Sequence, residues 1–75
     1  MTLYKNPQNN RVRILSITGS KSVKRLLSDL GIRAGDIVRI TRNAPFGGPV
    51  LIERESMEVA LGKEIAECIL VEEAP

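Results

Sequence analysis

The side chains able to do chemistry are few. With no His, the chain offers no imidazole base, no Ser-His-Asp triad and no His metal ligand. The single Cys, Cys68, cannot form an internal disulfide or a zinc site of the usual kind. A nucleophilic Cys needs a base or cation to stabilise its thiolate. Cys68 lies beside Ile69-Leu70-Val71 and reads as a plain strand residue. Glu53, Glu55 and Glu58, with Glu64 and Glu67, could give oxygen ligands to a hard cation, and Glu53 and Glu55 on one strand face could act as paired carboxylates. Their spacing is unlike an ion-wrapping loop, no Asp joins them, and 75 residues leave little room for a substrate cleft. They read as a solvated strand face. Gly47-Gly48 lacks the following Lys-Ser/Thr and helix of a phosphate-cradling loop. The expectation is a non-enzyme with no metal site and no cofactor.

The elements that must position these groups form one small domain with a thin core, since a chain of this size buries only about 60% of its unfolded surface. Two aromatics, Tyr4 and Phe46, cannot furnish a base-stacking platform. The longest apolar run, residues 68–71, falls far short of the about 20 residues of a membrane span. The polar start MTLYKNPQNN is not a targeting sequence, and a lone Cys fits a reducing compartment. A soluble cytoplasmic protein without direct membrane insertion is expected.

Charge is distributed unevenly. Residues 1–43 carry nine Lys/Arg against two Asp, a net +7, and residues 44–75 carry two against seven Glu, a net −5. Such asymmetry raises nucleic-acid binding as an alternative function, through Arg11, Arg13, Lys21, Lys24, Arg25, Arg39 and Arg42. The preferred reading is that basic and acidic strands lie side by side and neutralise one another.

Residues 1–10, with Asn6-Pro7 and Asn9-Asn10, read as a flexible N-terminal segment that includes Tyr4. Strands are predicted at 11–18, 36–43, 50–55, 57–61 and 68–72, and residues 73–75 form a tail. Val23, Leu26, Leu27 and Leu30 fall at helical spacing. They predict an amphipathic helix over 21–30, capped by Ser20 or Ser22 and ended by Gly31, whose stripe closes the core. Gly35 suits the positive φ of a turn, and 63–67 predicts a single helical turn. Five strands and one helix in so short a chain point to a closed or nearly closed β-barrel.

The segment Ala44-Pro45-Phe46-Gly47-Gly48-Pro49 cannot continue a ladder. Phe46 either projects as an interface anchor or folds back to cap an open barrel end. The loop, residues Ala44, Pro45, Phe46, Gly47, Gly48 and Pro49, is the candidate partner-binding site, together with Lys24 and Arg25 on the polar helix face.

Leu27-x-x-Leu30-Gly31-Ile32-x-Ala34-Gly35-x-x-Val38-x-Ile40, the Ala44–Pro49 loop, Ala60-Leu61 and Ala66-x-x-Ile69-x-Val71 together resemble the ferrous iron transport protein A (FeoA) family. The likeness runs from about Ile14 to Val71. Three positions depart from the family pattern: Ala34 replaces a usual Pro, Ser56 a usual Gly, and Arg54 a usual apolar residue. The resemblance implies an SH3-like barrel of five strands with one short helix inserted after the first. It also implies a cytosolic accessory protein of ferrous iron uptake, whose partner is a membrane transporter carrying a cytosolic G-protein domain. A similar domain ends iron-dependent repressors of the diphtheria-toxin-repressor type. Since the sequence starts at Met1 and shows no helix-turn-helix, it is expected to stand alone.

Overall fold

The computed structural model describes every residue except Gln8, Ala44 and Pro45. In chain order it contains a 3₁₀ turn (Leu3–Lys5), β1 (Arg11–Ile17), α1 (Lys21–Asp29), β2 (Ile37–Asn43), β3 (Val50–Arg54), β4 (Met57–Leu61), α2 (Lys63–Ala66) and β5 (Ile69–Glu73). The strands form one antiparallel sheet of order β4-β3-β2-β1-β5. Register shifts at Ile14/Ser16 in β1 and Ile40/Arg42 in β2 bend these two strands. The sheet rolls into an SH3-like open barrel with the helix after the first strand. Its edge strands β4 and β5 do not pair with each other.

Alternation places Val12, Ile14, Val38, Ile40, Val50, Ile52, Leu61, Ile69 and Val71 inside, where each is at most 2% exposed. Helix α1 begins with the Ser20 hydroxyl accepting the Val23 N–H at 3.2 Å. It ends in a Schellman motif: Gly31 N–H donates to the Ser28 carbonyl and Ile32 N–H to the Leu27 carbonyl. Gly31 takes φ +78°, which a residue with a Cβ resists. The accompanying contact between Ile32 and Leu27 is buried. Gly35 has the positive φ its turn requires, +95°.

Four expectations need correction. The described residues of the N-terminal segment pack and bond onto the sheet rather than forming a flexible end. Leu3 is fully buried, Thr2 bridges Leu70, Val71 N–H donates to the Met1 carbonyl, and Asn9 and Asn10 exchange backbone bonds with Ile40. A thin core gains by taking in Leu3, and the Asn-Pro signal marks a turn back onto the sheet. The helix stripe closes the core only in part: Leu27 is buried, but Leu26 and Leu30 are 41% and 40% exposed. Glu55 is not on the β3 face beside Glu53. With Ser56 it forms the two-residue β3–β4 turn, at φ +50° and +69°, a type I′ geometry that normally favours Asn-Gly. Cys68 precedes β5, in a turn where its thiol reaches the Glu64 carbonyl at 3.4 Å.

Candidate functional site

The end of β2, ahead of the connection to β3, is held by the N-terminal segment. Asn43, the last residue of β2, donates from Nδ2 to the carbonyls of Tyr4 (2.9 Å) and Asn6 (2.5 Å). Asn6 is buried and donates from its own Nδ2 to the Thr2 carbonyl at 2.6 Å. Its Oδ1 is buried without a partner among the described residues. The N-terminal segment is thus the foundation of the loop. Tyr4, expected in a tail, is half-buried against the core, and Lys63 Nζ stands 5.6 Å from its ring centroid.

Phe46 projects from this base. Its side chain is completely exposed, so the alternative of a cap over the barrel end does not hold. Its backbone is left-handed as well, at φ +62°. An L-residue in that region costs roughly 1–2 kcal/mol relative to the right-handed form. Beside it lies a shallow depression of about 420 Å³ lined by Gly47, Gly62, Lys63, Glu64 and Ile65. Gly48 is half-buried and Pro49 exposed at the start of β3. Ala44 and Pro45 lie outside the described residues.

Lys24 and Arg25 are exposed on α1, and neither makes a side-chain hydrogen bond or ion pair among the described residues. No such bond joins them to the Phe46 loop. Part of the wider charge asymmetry is neutralised across the sheet. Strands β2 and β1 lie between acidic β3 and β5, with Arg39 paired to Glu53 at 3.1 Å and Arg13 to Glu72 at 3.0 Å. Both pairs are exposed enough to contribute no more than about 1 kcal/mol each. Among the described residues, no three His, Cys, Asp or Glu side chains are grouped to hold a metal ion, and no helix is long and apolar enough to cross a membrane.

Sequence reasoning missed the role of Arg54. Its guanidinium donates to the Gly31 carbonyl at the C-terminal end of α1 and lies 3.8 Å from Asp36, whose carboxylate accepts the Arg33 N–H at 2.9 Å. A cation at a helix C-terminus is favoured by the helix dipole. The departure of Arg54 from the apolar family pattern was the available signal.

The FeoA domain profile matches residues 1–73. The chain belongs to the FeoA family. That match begins at the N-terminal segment, ahead of the resemblance visible in the motifs, in keeping with the structural part played by Leu3. The FeoA family is one of ferrous iron transport. The crystal structure of an iron uptake regulatory protein (FeoA) superposes with a TM-score of 0.90 at 20% identity, over 99% of this chain and 97% of that one. FeoA from Chlorobium tepidum gives 0.88 at 28% identity, over 100% and 71%. A manganese-dependent transcriptional repressor also shares the FeoA fold, at TM-score 0.91 and 20% identity, with 99% of this chain covering 41% of the repressor. That likeness is one of fold alone. No curated protein matches the chain.

Proposed function

We propose that this FeoA-family protein acts in ferrous iron uptake by contact, binding the cytosolic region of a membrane transporter that carries a G-protein domain. Phe46 is the anchor of that contact. The observation that carries the reading is its placement: both the backbone and the side chain sit where a Phe costs the fold stability and returns no packing. Aromatic side chains are enriched among the residues that dominate interfaces, and a short loop on a rigid base presents one with little ordering cost. Gly47, Gly48 and Pro49 complete the described part of the surface, and the neighbouring depression offers room for a partner side chain. Lys24 and Arg25 form a second, separate patch on α1 that steers an acidic partner. The protein is cytoplasmic in this reading and performs no catalysis.

The nucleic-acid alternative loses ground in the sheet, where Arg13 and Arg39 are engaged by Glu72 and Glu53. A pull-down of the transporter's cytosolic region by wild-type protein and by Phe46→Ala tests the proposal. Loss of capture by the variant is expected. Undiminished capture would remove the loop from the contact.

A further inference from the structure

The two edges of the sheet are treated differently by the chain. The β5 edge is covered by the Thr2 bridge and the bond to the Met1 carbonyl. The β4 edge has no strand partner beyond β3 among the described residues. Arg54 and Met57 flank a two-residue turn and so form a hydrogen-bonded pair. Alternation along the ladder then directs the main-chain N–H and C=O groups of Glu58 and Ala60 away from β3, to the open edge. Exposed edges of this kind are usually guarded by Lys, Pro or an inward charge. Strand β4 has only Glu58, which points outward and accepts the Thr41 hydroxyl at 2.9 Å.

Next to this edge the core is incompletely covered. A cleft of about 40 Å³ opens between the end of α1 and the β3–β4 hairpin, with apolar walls of Leu30, Ile32, Ile52, Met57 and Val59. Met57 is 65% exposed and Leu30 40%. The volume is far below the roughly 300 Å³ of the smallest usual cofactor sites and suits part of one apolar side chain. The charged groups lining the cleft are Arg54 and Glu55. Arg54 is one-third exposed, and its contacts to the Gly31 carbonyl and to Asp36 leave further guanidinium donors available. Exposed Lys24, Arg25 and Arg33 add positive charge on α1 and the segment after it, against Asp29 and the Asp36 that already stands 3.8 Å from Arg54.

We propose that the β4 edge and this cleft form a docking site for an extended segment of a partner protein, one that places an apolar side chain in the cleft and the carboxylate of a nearby Asp or Glu on Arg54. The segment adds a strand to β4 through Glu58 and Ala60, the cleft selects an apolar residue, and Arg54 selects the neighbouring acid. Charge complementarity fixes the choice: a guanidinium at the margin of an apolar cleft is matched by a carboxylate. Glu55 on the adjoining turn repels a segment whose acid is misplaced, which sets register. The site is distinct from the Phe46 loop and does not depend on the identity of the transporter.

The test uses the full chain and two blocked hexapeptides, one alternating Val with Asp and one alternating Val with Asn, titrated by amide-shift NMR. The Val-Asp peptide is expected to shift Glu58, Ala60 and Leu30 and to bind at least about fivefold more tightly than the Val-Asn peptide. Met57→Asp, at an exposed position that leaves the fold intact, should abolish binding of the Val-Asp peptide. Arg54→Met should bring the two peptides to equal affinity. Equal affinities for the wild-type protein, shifts confined to other surfaces, or unchanged binding by Met57→Asp would overturn the proposal. So would concentration-dependent shifts on β4 without peptide, since the occupant would then be a second copy of the chain. A failure here leaves the Phe46 contact standing, because the pull-down reads a different surface.

Discussion

Leu3 and Phe46 belong to segments that are bound to one another through Asn43, yet their fates are opposite: Leu3 is fully buried and Phe46 fully exposed. Both segments carry turn residues, and both look dispensable to a sheet. The difference lies in what each apolar side chain returns to the fold. Leu3 completes a core otherwise made by nine strand residues, Leu27 of α1, Ile32 after it and Ala66 of α2. Phe46 is fully exposed, packs on none of the described residues and occupies a left-handed backbone that Gly would occupy more cheaply. One apolar residue stabilises the fold and the other burdens it.

The contrast can be broken in several places. Leu3→Ala should have the largest effect, a destabilisation of about 2–5 kcal/mol in denaturant unfolding, because it leaves a cavity in a thin core. A loss below about 1 kcal/mol would mean that the N-terminal segment is not part of the core in solution. Asn43→Ala should cost about 1–3 kcal/mol by leaving the Tyr4 and Asn6 carbonyls without their donor. Amide exchange of residues 2–6 should rise with it. Phe46→Gly should act in the opposite direction, raising stability by about 1 kcal/mol through relief of the left-handed strain. A clear loss of stability would show that Phe46 packs on its own chain. Ser56→Gly should stabilise by a similar or smaller amount, roughly 0.5–1 kcal/mol, since type I′ turns favour Gly at that position. The melting temperature checks it, and no change would argue against the turn geometry. Glu72→Ala should be the smallest, within about 0.5 kcal/mol, because its pair with Arg13 is exposed.

Much of the fold was legible because its signals are local. The alternation of Val12 with Ile14 and of Val38 with Ile40 marks strands, Ser20 and Gly31 bound the helix, and the glycine turn and the proline-rich loop carry the family likeness. What was not legible depends on distant partners. Nothing near Leu3 in the chain says that Thr2 pairs with Leu70 and Met1 with Val71. The helical spacing of Leu26 and Leu30 states that they share a face with Leu27, but not that Leu27 alone of the three is buried. Arg54 reads as a misplaced charge in a strand until the Gly31 carbonyl is found against it. At the candidate site, the aromatic on its loop was visible. Its complete exposure and positive φ were not, since neither burial nor backbone conformation is stated by residue type alone.

The claim at the centre of this account is that Phe46 serves a partner at the expense of its own fold. Ferrous iron uptake by cells in which the Phe46→Gly protein replaces the wild type tests it most directly. Uptake should fall to the level of cells lacking the protein, although the variant is at least as stable and as abundant as the wild type. Wild-type uptake by a stably folded Phe46→Gly protein would contradict it.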